Sequence, residues 1–139
     1  MDTKMVGYSG KSVIEKLGIK ENMFLYFLNL PKDQNMEDWG KLPDQVSIVT
    51  SLRKDLDFIH YFSKQEKEFK TTFPNLIPYL KRNGMIWVSW PKKTAKIVSD
   101  MNENLIRNFA LELGLVDIKV CAIDTTWSGL KLVIRKSNR

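Results

Sequence analysis

The sequence predicts a three-layer α/β domain with a mostly parallel sheet, finished by an antiparallel hairpin at the C-terminal edge. Three observations carry this. Short apolar runs of strand length alternate with helical patterns along the chain, the signature of strands joined by helical crossovers. The first run, "MFLYFLNL" at residues 23–30, is apolar on both faces, as a central strand covered from two sides must be. The last two runs, "VDIKVCAID" and "GLKLVIRK", alternate apolar with polar residues, and the short "TTWS" between them fits a hairpin.

Residues 10–18 read as a short helix with Val13, Ile14 and Leu17 on one face and Gly18 as its stop. The strand at 23–30 ends on Asn29 and Pro31, and a short polar segment bearing Trp39 crosses over between Pro31 and Pro43. Strands are expected at 46–52 ("VSIVTSL") and 56–62 ("LDFIHYF"). A helical region over 64–82 contains Pro74 and Pro78. Because proline suits only a helix start, a break is expected near 71–73, with a second helix from about 74 to 83 and Gly84 as its end. "MIWVSW" at 85–90 is a buried strand closed by Pro91, and residues 102–113 carry a helical apolar stripe of Leu105, Ile106, Phe109, Ala110 and Leu113 before Gly114. No repeat, low-complexity tract or linker interrupts the chain, so residues 1–139 are expected to form one domain, with 1–8 flexible.

Composition narrows the classes of function. Hydrophobic residues at 43% and charged residues at 27% are those of an ordinary globular protein, and 139 residues can bury a core without staples. No apolar run approaches the roughly eighteen residues of a membrane span, and the polar N-terminus lacks a secretory signal, so a cytoplasmic location is expected. One cysteine, Cys121, and one histidine, His60, leave no disulfide and no conventional metal site to expect. The net charge of +6 is uneven: Lys and Arg number 6 against 7 acids over residues 1–50, 10 against 5 over 51–100, and 6 against 4 over 101–139. That balance admits anionic partners, from a phosphate to a nucleic acid, although scattered pairs are more simply a solvated surface.

The opening "GYSGKS" invites comparison with a phosphate-binding loop, since Gly10, Lys11 and Ser12 match its end. Met5 stands where the first glycine belongs, and residues 1–5 are too few and too polar for the preceding strand. The stretch reads instead as a helix start capped by Ser9 or Ser12.

The C-terminal half, "LDFIHYF", "LIPYLKRNGMIWVSWPKK" and "GLVDIKVCAIDTTWSGLKLVIRK", resembles the second half of class I S-adenosylmethionine-dependent methyltransferases, which implies a Rossmann-like fold. "GYSGKSVIEKLGIK", "WVSWPKK" and "LGLVDIKVCAIDTTWSGLKLVIRK" resemble a family of small uncharacterised bacterial proteins, a domain of unknown function, over nearly the whole chain. The methyltransferase resemblance implies a glycine-rich turn after the first strand and an acid ending the second, for the ribose hydroxyls. Here the first strand ends "LNLPKDQNMED", with no glycine before Gly40, and the second ends "VTSLRKD", with Thr50 and Ser51 at the acid position and Asp55 several residues on. The scaffold is expected to be kept, and S-adenosylmethionine is a cofactor only if it is bound in an unusual way.

In such sheets ligands sit beyond the carboxyl ends of the strands. Asn29 to Lys32, Thr50 to Arg53, Ser63 and Ser89 to Lys93 are expected to gather there. In "SWPKK", Ser89 is polar, Trp90 can stack on a planar ligand, and Lys92 and Lys93 suit an anion; the plainer reading makes Trp90 a plug and the lysines solvated. In "DTTWSG", Asp124 offers acceptors and Trp127 could close a pocket, against ordinary turn chemistry. His60 reads as a core histidine and Cys121 as a small buried hydrophobe. Asp57 and Asp124 have no separation fixed by sequence. Three functions remain open: a non-catalytic binder of a small anion or nucleotide-like ligand, a methyltransferase with polar contacts from Asn29 and Ser51, and a nucleic-acid binder using Arg53, Lys54, Lys81, Arg82, Lys92 and Lys93.

Overall fold

A computed structural model of the chain describes residues 10–139. The expected flexibility of 1–8, and Gly7, Tyr8 and Ser9 of the opening motif, lie outside the described residues. Ser12 caps the first helix, α1 (Val13–Leu17): its hydroxyl accepts the Glu15 N–H at 3.2 Å, and its own N–H donates to Glu15 Oε1 at 2.9 Å. Gly18, left-handed at φ 80°, ends the helix. The hydroxyl that a phosphate loop would turn to a metal is thus occupied by a helix cap.

Six strands follow: β1 (Phe24–Leu28), β2 (Ser47–Val49), β3 (Leu56–Phe62), β4 (Leu80–Pro91), β5 (Leu115–Ala122) and β6 (Trp127–Ile134). They form one sheet in the order β2-β1-β3-β4-β6-β5. β2, β1, β3 and β4 run parallel, while β6 is antiparallel to both β4 and β5. This is the expected parallel sheet with a C-terminal antiparallel hairpin. β1 leads to β2 on one side while β3 lies on its other side, so strand order reverses between β1 and β3.

The alternation of strand side chains divides the core in two. Ile59 and Tyr61 of β3 and Ile86, Val88 and Trp90 of β4 face the helices α2 (Glu66–Leu76) and α3 (Glu103–Glu112), meeting Phe69, Phe73, Leu76, Ile106 and Ala110. Phe58 and Phe62 of β3 and Trp87 of β4 face the other way, onto Val13, Ile14, Leu17 and Trp39. Trp39 closes a single 3-10 turn, Met36–Trp39, in the crossover from β1 to β2. Apolar residues on both faces of β3 and β4 follow directly from this double cover. No helix among the described residues is long and apolar enough to cross a membrane.

Three expectations require correction. The helix does not break at 71–73: α2 runs through Pro74, and a 3-10 turn, Ile77–Tyr79, ends it. An interior proline costs about 3 kcal/mol, whereas burying Phe69, Phe73 and Leu76 contributes roughly 1.5–3 kcal/mol each. Packing wins. The expected second helix over 74–83 is cut short because β4 begins at Leu80, where Leu56 pairs with Leu80 ahead of a register shift. β2 is also shorter than expected, three residues rather than the whole of 46–52.

Candidate functional site at the carboxyl edge

The parallel strands deliver Asn29, Thr50, Ser63 and Lys92 to one edge of the sheet, and the β5–β6 turn joins them because Trp127 pairs with Pro91. Asn29 adopts the left-handed conformation at φ 59°. Asparagine tolerates that region where most side chains do not, so β1 ends in the turn that glycine would otherwise supply. Asn29 and Ser51 are both exposed.

Asp124 ties three loops of this edge together. One carboxylate oxygen, Oδ1, accepts the N–H groups of Thr126 and Trp127, each at 2.8 Å, which fixes the hairpin turn. The other, Oδ2, accepts from Gln34 Nε2 at 2.6 Å, and Gln34 Oε1 accepts from the Trp39 indole at 3.0 Å. Lys92 Nζ donates to the Asp124 carbonyl at 2.8 Å, and the Lys92 N–H to Thr126 O at 2.8 Å. β6 stands three places from β1 in the sheet. At about 4.8 Å per strand, the segment leaving β1 therefore spans roughly 14 Å over the ends of β3 and β4 to reach the hairpin.

Beneath this roof lies the pair His60 and Ser89, on neighbouring strands. His60 Nε2 and Ser89 Oγ are 2.7 Å apart, and both residues are wholly buried. The imidazole stacks on Phe62, with centroids 4.2 Å apart, and is walled by Phe27 and Trp39 at 5.8 Å each. Burial pushes its pKa down to about 3, so the ring is neutral. Its Nδ1 has no hydrogen-bond partner among the described residues. The arrangement has a serine beside a base but no access for a substrate and no third group to orient the ring. It is a core polar pair.

The remaining candidates separate. Trp90, 9% exposed, packs into the core beneath α2 and α3, whereas Trp127, 3% exposed, packs on the opposite face, edge-on to Phe62 at 5.2 Å. The two indoles do not meet over one pocket. Lys92 and Lys93 line a surface depression of about 540 Å³ together with Pro91, Ser99, Asp100 and Asn102. The acids near it are engaged: Asp100 Oδ1 accepts the Glu66 N–H at 2.7 Å, and Glu103 pairs with Arg107, which also holds Asp117 at 2.9 Å. Asp57 lies at the other end of the sheet, accepting the Phe24 N–H at 2.8 Å and pairing with Lys81 at 2.9 Å, so it forms no pair with Asp124. Arg53 folds back over the Phe24 ring at 4.8 Å. Arg53 and Lys81 thus sit at the amino end and Lys92 and Lys93 at the carboxyl end. β4, which separates Lys81 from Lys92, is twelve residues long, roughly 35–40 Å at strand rise. Gln34, absent from the sequence expectations, had no signal beyond its place in a polar crossover.

Neither a family model nor a curated protein matches the chain. Solved structures do. The chain is similar to magnesium protoporphyrin IX methyltransferase from Synechocystis PCC 6803 with bound S-adenosylmethionine, at TM-score 0.60 and 11% identity, over 88% of this chain and 74% of that one. It is similar to an S-adenosylmethionine-dependent methyltransferase from Clostridium acetobutylicum, at TM-score 0.53 and 9% identity, over 88% and 87%. Fibrillarin from Aeropyrum pernix, with natively bound S-adenosylmethionine, matches at TM-score 0.56 and 13% identity, over 84% and 69%. The fold is that of the class I methyltransferases.

That fold implies S-adenosylmethionine, and the residues present do not fit it in the usual manner. The end of β2 presents Val49, Thr50 and Ser51 and no carboxylate. Asp55 stands one residue before β3, at the opposite end of the sheet. Beyond Asn29 the chain continues into Pro31, which has no N–H to offer, and then into the segment pinned to Asp124.

Proposed function

We propose that the protein is a non-catalytic binding domain on a methyltransferase scaffold, taking a small anionic, nucleotide-like ligand in the depression beside Lys92 and Lys93. The observation that carries the reading is the Gln34–Asp124 bond at 2.6 Å, which draws the β1 exit across the crevice where the fold's cofactor would lie. The depression of about 540 Å³ suits a small ligand, and Lys93 is exposed, with no carboxylate paired to it among the described residues. Asn102 and Ser99 add neutral donors and acceptors beside the cations.

The test is calorimetric titration of the full chain with adenosine 5′-monophosphate and with inorganic phosphate. A charge-assisted hydrogen bond contributes about 1.5–3 kcal/mol, so Lys92→Ala/Lys93→Ala is expected to weaken nucleotide binding at least tenfold. Binding that is unchanged in the double variant would overturn the assignment of this groove. The second reading, an active methyltransferase with polar contacts from Asn29 and Ser51, draws on the left-handed turn at Asn29. It requires that S-adenosylmethionine bind and that its affinity fall in Asn29→Ala and Ser51→Ala.

A further inference from the structure

Away from the carboxyl edge, the sheet register sets three residues side by side on the face covered by α1. Trp87 of β4 pairs with Lys131 of β6, and Lys131 pairs with Lys119 of β5. Trp87 is buried, and its indole N–H donates to the Leu17 carbonyl at 2.9 Å, so α1 and its exit close over it. Lys119 Nζ lies 6.0 Å from the Trp87 ring centroid. Lys131 Nζ packs against the α1 exit, 3.6 Å from the place a β-carbon on Gly18 would take. The next charged residue of that exit is Lys20. The ammonium of Lys131 is held below its ordinary pKa by burial first, then by Lys119 and Lys20.

Like charges directly opposite each other on paired strands are destabilising, and a partly buried ammonium adds a desolvation cost. Neither cost is met by an ion pair to Lys20, Lys119 or Lys131 among the described residues. Of the nearby groups, Glu15 feels Lys20, but its carboxylate is bonded to the Ser12 N–H at 2.9 Å. The Cys121 thiol, on the same face, is pushed up by burial and carries no charge to offer. Lys16 adds a further positive charge near that thiol.

We propose that Lys119 and Lys131 form an anion site for the phosphate group of a small phosphorylated molecule. An ammonium presents three donors and no acceptor, and two of them on adjacent paired strands, beside the α1 exit, can hold one phosphate group between them. The site is separate from the groove at Lys92 and Lys93, so either assignment can fail without the other.

The test uses the full chain and inorganic phosphate or pyrophosphate, followed by thermal unfolding and calorimetry against sodium chloride of equal ionic strength. Both anions are expected to raise the melting temperature of the wild type, with saturation. Lys119→Gln/Lys131→Gln is expected to weaken pyrophosphate at least tenfold, while Lys67→Gln, on α2 across the sheet, leaves it unchanged. Without anion, Lys131→Met, which keeps the stem and removes the charge, should be as stable as wild type or more so. Loss of stability in Lys131→Met would show a structural cation and overturn the proposal, as would absence of saturable binding at ten millimolar pyrophosphate. A short single-stranded oligonucleotide is the third probe. Binding of the oligonucleotide alone, lost in the Lys119/Lys131 variant, would also overturn the small-molecule assignment.

Discussion

His60 shows how much a single side chain can report. Its folded pKa is pushed down to about 3 by burial, whereas in an unfolded chain it takes the ordinary value near 6.5. Between those values the unfolded chain binds a proton that the folded chain does not, so stability falls as pH falls through that window and is unaffected above it. The slope from this residue is at most about 1.4 kcal/mol per pH unit. Denaturant melts between pH 7 and 4 should show it, and His60→Gln, which can still bond Ser89, should flatten it. An equal slope in the variant would remove His60 as the cause. Sequence placed His60 in the core because of its apolar neighbours, but its partner Ser89, 29 residues away, became visible only once β3 and β4 were paired. Gly40 is the other decisive residue, at φ 116° with a β-carbon position only 2.7 Å from Ser12 Cβ. Gly40→Ala should therefore cost about 1–3 kcal/mol through backbone strain, before the contact is counted. A melting temperature within a degree of wild type would contradict this.

At the scale of elements, α2 and the β1 exit behave oppositely with respect to sequence. Local rules put a break before Pro74, yet Phe69, Phe73 and Leu76, spaced four and three residues apart, bury one continuous face and hold the helix through it. Pro74→Ala should restore the missing hydrogen bond and raise stability by about 1 kcal/mol or more; a drop would mean that the ring packs better than the helix gains. The start of β4 was hidden because "LKRNG" is polar and reads as the end of a helix, while its pairing with Leu56 is a long-range matter. The exit from β1 offered almost no periodicity. Its course is set by Asp124, which accepts from Gln34, Thr126 and Trp127. Asp124→Ala should destabilise by roughly 1–3 kcal/mol, and Asp124→Asn, whose carbonyl can still fix the turn, by less. Equal losses in the two variants would argue against the turn as the main contribution.

At the scale of the whole molecule, alternating apolar runs and helical stripes carried the α/β class, the parallel strands and the terminal hairpin, because burial on one or two faces writes itself into local pattern. What pattern could not carry is where loops travel after leaving the sheet. Asn29, Ser51, Lys92, Lys93 and Asp124 do reach one edge. Trp90 and Trp127, however, point to opposite cores, since their strands present them to different faces. The structure keeps the order β2-β1-β3-β4-β6-β5, with its reversal between β1 and β3. On the proposed function, the β1 exit pinned to Asp124 roofs the crevice where a cofactor of this fold would lie. Equilibrium titration of the full chain with S-adenosylmethionine and S-adenosylhomocysteine tests that most directly. No saturable binding is expected up to millimolar concentration. Micromolar binding, weakened by Asn29→Ala or Ser51→Ala, would contradict it.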